Sequence, residues 1–255
     1  MTVVKAYKDI YNFSVQLNEV YQSVNNKTEE KIFSVKFQRN VKWMVVGLMD
    51  TSFGDLEKYR NAYCVSNCLL GHSIRTALTA ICLAKELDIE ASEVYRIGLG
   101  GILHDIGKLL IPSKIIDKPC KLSISEFEVI KEHPIIGFEM LKNQKWLPKT
   151  SLEIVQNQHE KMDGSGYLNQ LSGNQIPFYG RLVGVVDILD AVTSKRNYRD
   201  ALSYRDVLCI IRKETPNLLD EDLVMVLCDA IEKYSHSNTN YTTKLNIKEY
   251  DKLVI

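Results

Sequence analysis

Apolar residues recur along this chain in steps of three and four, and almost nowhere in steps of two. Ile74, Ala77, Leu78, Ile81, Ala84 and Leu87 share one helical face under that spacing. So do Val3, Tyr7, Ile10, Leu17, Tyr21 and Val24 once Ser14 fills the missing register. A half-buried strand needs alternation, and the one stretch that offers it is the terminal KLNIKEYDKLVI. The pattern predicts an all-α fold, a helical bundle. Asn25-Asn26 breaks the first helix, and a second is expected from about Thr28 to Met49. Another begins at Ser92 and runs into GLGGILHDIGK. Ser123-x-x-Glu126 is a capping box that starts the helix leading to His133, and Pro134 ends or kinks it. Further starts are expected at Ser151, Pro177, Ser203 and Asp220. The chain then divides into an N-terminal helical extension at 1–54, a main domain at 55–235 and a C-terminal tail at 236–255. The spacing in the extension suits either burial against the main domain or pairing of two chains as a homodimer.

Lys+Arg and Asp+Glu each number 32, so the net charge is 0 and no global field favours DNA, RNA or an anionic membrane. An anionic ligand must be held by a local site. The longest apolar run, WMVVGLM, is far too short to span a bilayer, and the first residues lack a signal peptide's apolar centre. Six cysteines are scattered without a C-x-x-C pair, which fits reduced thiols and a cytoplasmic location.

There are five histidines, and His72, His104, His133 and His159 fall at expected helix ends or beside acidic residues. In LHDIGK, His104 and Asp105 can reach a common point where the helix end wraps around it. An imidazole nitrogen and a carboxylate suit Fe, Mn or Zn, and the carboxylate has two oxygens with which to bridge two ions. Asp187 and Asp190 sit three apart on an apolar helix, so they share a face and require a metal or an arginine. Lys195, Arg196 and Arg199 follow as a cluster able to hold phosphate oxygens.

Read in order, HSIR from His72, LHDIGK, KEHPIIG, HEKMDGSGY and DILDAVTSKRNYR resemble the HD-GYP family, bacterial metal-dependent phosphodiesterases of the HD-domain superfamily. The resemblance covers roughly residues 65–230. It implies a helical domain that holds Fe(II) or Mn(II), one or two ions per chain here, and hydrolyses cyclic di-GMP to pGpG or GMP through a metal-activated hydroxide attacking phosphorus. It further implies that His72, His104, Asp105 and Asp187 complete one metal site, that Asp105 bridges to a second, and that His133 and His159 ligate the second. Lys108 resembles the lysine that touches the scissile phosphate, which with Asp105 makes the catalytic pair. Tyr167, Arg196 and Arg199 match ligand-binding positions, and Asp190 and Asp163 match supporting ones. A signalling-protein partner is a further expectation.

Three departures qualify the pattern. Gln158 replaces the first histidine of His-His-Glu, so the second site is expected to lose an imidazole. Leu168 replaces the signature proline, which is expected to loosen the turn after Tyr167. Cys68 replaces the glutamate that supports a third metal in some members, so a trinuclear centre is not expected; Cys64 and Cys68 share a helical face with His72. The alternatives that follow are a weakened member acting as a cyclic-dinucleotide or protein-binding regulator, and a hydrolase of another cyclic dinucleotide such as cyclic GMP-AMP.

Overall fold

Ser34 opens the first described helix because its hydroxyl accepts from the Phe37 N–H at 3.2 Å, and α1 then runs Val35–Met49. The computed structural model describes residues 33–56, 69–193, 207–208, 211–212 and 217–235. The expected helix at Val3–Val24, the start at Ser203, Cys64, Cys68, Lys195, Arg196, Arg199 and the terminal KLNIKEYDKLVI lie outside them.

After α1 come α2 (Leu69–Glu86), α3 (Ala91–Leu103), a 3-10 turn (Ile106–Leu110), α4 (Ser113–Ile116), α5 (Ile124–Lys131), α6 (His133–Leu141), α7 (Lys149–Asn157), α8 (Phe178–Thr193) and α9 (Glu221–Ser235). Among the described residues every regular element is helical, as the three-four spacing predicts. α2 is buried from Leu70 almost without interruption to Ala84, so it forms the centre of the bundle. α3 and α8 pack along it, and α7 lies against both of them. Phe37, Val41, Val45 and Leu48 from α1 and Leu223, Leu227 and Ile231 from α9 join the same core. Each such side chain contributes about 1.5–3 kcal/mol by leaving water.

The Ser123–Glu126 capping box forms as expected, with Glu126 N–H donating to Ser123 Oγ at 3.2 Å and Ser123 N–H to Glu126 Oε2 at 2.6 Å. Pro134 does not kink that helix. α5 stops at Lys131 and a new helix begins at His133, with Pro134 in its first turn, where a missing N–H costs nothing. Likewise α7 starts at Lys149 behind Pro148, and Ser151 lies inside it with its hydroxyl donating to Arg96 O at 2.7 Å.

The turn after α3 depends on one glycine. A Cβ on Gly107 would lie 2.0 Å from the His133 carbonyl oxygen and 2.7 Å from Gly137 N. Glycine alone lets this turn rest on the start of α6, and that contact brings Asp105 beside His133.

Candidate metal centre

Six side chains from separate elements converge as two adjoining clusters, His72, His104 and Asp187 in one and Asp105, His133 and His159 in the other. His72 lies in the first turns of α2, Asp187 in α8, and His104 caps the C-terminus of α3. His72 Nε2 lies 3.1 Å from His104 Nε2 and 3.0 Å from Asp187 Oδ1. In the second cluster His133 Nε2 lies 3.1 Å from Asp105 Oδ1 and 3.1 Å from His159 Nε2. The other oxygen of Asp105, Oδ2, faces the first cluster, 3.4 Å from both His72 Nε2 and His104 Nε2. One carboxylate therefore touches both clusters, the geometry that a bridging ligand requires.

The outer ring nitrogens fix the tautomers. His104 Nδ1 donates to Gly101 O at 2.8 Å and His133 Nδ1 donates to Ile130 O at 2.7 Å, since a carbonyl can only accept. In the neutral rings each Nε2 then carries a lone pair turned inward. His72 Nδ1 meets Asp190 Oδ2 at 2.8 Å, and Asp190 is gripped in turn by Arg75 through Nε at 2.7 Å and Nη2 at 3.0 Å. The two carboxylates of α8 thus divide the partners expected of them: Asp187 faces the imidazoles, and Asp190 takes a buried arginine.

Burial by itself would depress the His72 pKa, but Asp105, Asp187 and Asp190 raise it well above the imidazole range. Burial holds His133 down and His159 well down, so both rings stay neutral. Burial opposes ionisation of Asp105, yet His104 and Lys108 hold it well below the carboxylate range, and His72 does the same for Asp187. Asp105 Oδ1 is buried without a hydrogen-bond donor. It faces the lone pair of a neutral His133 at 3.1 Å. A cation between such groups removes the repulsion, and imidazole with carboxylate suits a divalent transition metal, so the residues fit the group.

Lys108 Nζ donates to Asp105 Oδ2 at 2.6 Å. Tyr167 stacks on His159 with ring centroids 4.8 Å apart and planes at 19°. Phe127 meets the Tyr167 ring edge-on at 6.5 Å. Asp163 accepts from Ser165 N–H at 2.8 Å and so shapes the turn rather than the cluster.

Gln158 belongs to neither cluster, so no ligating side chain stands at that position. Gln158 is 1% exposed, and its Nε2 donates to the His104 backbone oxygen at 2.8 Å, so it ties the end of α7 to the His104–Asp105 turn. The histidine of the second cluster is His159. Leu168 does not free the turn after Tyr167, because its N–H donates to Glu160 Oε1 at 3.0 Å. Sequence reasoning gave no role to Arg75, Glu160 or Lys161. Arg75 had a signal, being a cation three residues after His72 in an apolar helix. Lys161 is half-buried beside the centre, where burial lowers its ammonium pKa and Asp187 and Asp163 oppose that.

Comparison with known proteins agrees with this geometry. The HD domain family model matches residues 62–223. A cyclic di-GMP phosphodiesterase of Pseudomonas aeruginosa is 37% identical over 128 residues, 50% of this chain and 31% of that protein. A 3'3'-cGAMP-specific phosphodiesterase of Vibrio cholerae is 39% identical over 130 residues, 51% of this chain and 25% of that one. A cyclic di-GMP phosphodiesterase of Thermotoga maritima is 32% identical over 175 residues, 68% of this chain and 45% of that protein. The chain thus spans less than half the length of these relatives. An HDG"Y"P protein from Bdellovibrio bacteriovorus shares the fold with a TM-score of 0.57 at 15% identity, covering 86% of this chain and 78% of that one. A matched family model over most of the chain, relatives that are cyclic-dinucleotide phosphodiesterases and a histidine-aspartate centre on a shared helical fold lead to one assignment: the chain belongs to the HD domain family.

Proposed function

We propose that the chain is a metal-dependent phosphodiesterase that hydrolyses cyclic di-GMP to pGpG, GMP or both. The observation that carries this reading is Asp105, which turns one oxygen to each of two adjoining clusters and has Lys108 against it. Ions held by His72, His104, Asp105, His133, His159 and Asp187 would supply activated water and charge neutralisation at a phosphodiester.

The chain's own residues do the rest. Gly101 O, Ile130 O and Asp190 hold the outer nitrogens of His104, His133 and His72, which orients the three rings with Nε2 turned inward to ligate. Lys108 turns from Asp105 to the phosphoryl oxygens and stabilises their developing charge. Tyr167 presents an aromatic face beside His159, against which substrate is oriented. Arg196 and Arg199 contact phosphates or guanine. Among the described residues no helix is long and apolar enough to cross a membrane.

Fe(II) and Mn(II) are the metals proposed. Chain reconstituted anaerobically with either should linearise cyclic di-GMP, and no turnover with both would refute the reading. A second substrate, 3'3'-cGAMP, is favoured by the 39% identical relative specific for it. Competition between the two dinucleotides at equal concentration decides which has the higher kcat/KM.

A further inference from the structure

The loop that carries Tyr167 has little apolar anchorage. From Lys161 to Ser172 only Gly166 is buried, and the chain has no helix or strand there. Gly164 takes φ +81° and Gln170 φ +54°, backbone that favours glycine and is sparsely populated by other residues. Such a segment needs polar ties to stay in one conformation.

Those ties converge on Glu160, which is 5% exposed. Its Oε1 accepts the N–H of Leu168 at 3.0 Å and of Asn169 at 2.6 Å, and its Oε2 accepts the N–H of Leu171 at 3.0 Å. Tyr167 N–H donates to His159 O at 3.2 Å. Gly166 closes the loop, since a Cβ there would lie 2.4 Å from Lys161 N and 2.6 Å from His159 O. Glu160 thus follows one member of the ring stack, His159, and binds the residue after the other, Tyr167.

We infer that Glu160 is a positioning residue: its carboxylate clasps the 161–172 loop and holds Tyr167 against the second cluster for substrate. Leu168 takes part in this clasp. Proline at that position would have no N–H to give, so this chain replaces the stiffness of a proline ring with a charge-assisted hydrogen bond. The inference deepens the phosphodiesterase reading and rests on it only for its kinetic arm.

The test compares the full chain with Glu160→Gln and Glu160→Ala by amide hydrogen exchange over 161–172, metal content and cyclic di-GMP kinetics. Loss of the carboxylate should speed exchange in that segment by about tenfold or more while the core helices keep their protection. Metal content should not change. KM should rise by about tenfold and kcat by no more than about threefold in either direction, because the tie acts on substrate placement. Glu160→Gln keeps the side chain's shape and decides alone should Glu160→Ala fail to fold. Unchanged exchange in the segment, or loss of metal in step with activity, would overturn the clasp. A wild-type chain that binds metal yet leaves cyclic di-GMP intact would count against the phosphodiesterase reading alone, and the exchange comparison would still decide the clasp.

Discussion

His72 and Asp187 stand inside helices and His104 caps the end of one, whereas Asp105, His133 and His159 stand on a turn, at a helix start and just past a helix end. The first group is backed by a buried ion pair, Asp190 with Arg75, that reaches His72 directly. In the second, His133 is fixed by a single backbone carbonyl. Among the described residues no carbonyl or carboxylate lies within hydrogen-bonding distance of His159, whose Nδ1 is 4.0 Å from the nearest Asp187 oxygen and whose ring is covered by Tyr167. The difference teaches that the first cluster is fixed by the core, while the second is assembled from turn geometry and loop ties. Substitutions should therefore separate them.

Asp105 belongs to both, so Asp105→Ala should give the largest effect. Metal should be lost from both clusters and cyclic di-GMP turnover should fall by about 10³-fold or more. Retention of one ion per chain with measurable turnover would mean that the clusters are independent. Gly107→Ala comes next, because a Cβ 2.0 Å from the His133 carbonyl forces the turn off α6. Stability should drop by about 3 kcal/mol in denaturant unfolding, and the second cluster should lose metal before the first.

Asp190→Asn should act the other way, weakening metal at the first cluster by about 10- to 100-fold in titration calorimetry and sparing the second. The same residue carries a pH signature. Burial opposes its ionisation, but His72 and Arg75 hold its pKa down to about 2. A folded value below the unfolded one, about 3.9, makes the tie fully stabilising above pH ~4 and lost as pH falls toward 2. Stability of the metal-free wild type should accordingly fall by roughly 2 kcal/mol more than that of Asp190→Asn over this window. The smallest effect is expected at Gln158. Gln158→Ala leaves the buried His104 carbonyl unpaired and should lower stability by about 1–2 kcal/mol, with both ions still bound.

Much of this was legible in the sequence, for reasons that particular residues show. The helices follow from apolar spacing, and the start at Ser123 from a capping box whose two hydrogen bonds are local. Asp187 and Asp190 announce an unusual demand because carboxylates on an apolar face require partners. The sequence did not assign those partners, since which carboxylate meets Arg75 depends on how α8 rotates against α2. The contacts of Gln158 and Leu168 were hidden for a related reason. Each was judged by the side chain lost from a pattern, while in the fold Gln158 acts through an amide reaching another segment's backbone and Leu168 through its own N–H. Which distant group a backbone N–H or carbonyl meets depends on the fold and not on the residue at either position alone.

The most direct test of the account is metal stoichiometry measured beside hydrolysis on one anaerobically reconstituted sample. The account predicts two Fe(II) or Mn(II) ions per chain and conversion of cyclic di-GMP to a linear product. Fewer than one ion per chain, with cyclic di-GMP left intact, would contradict it.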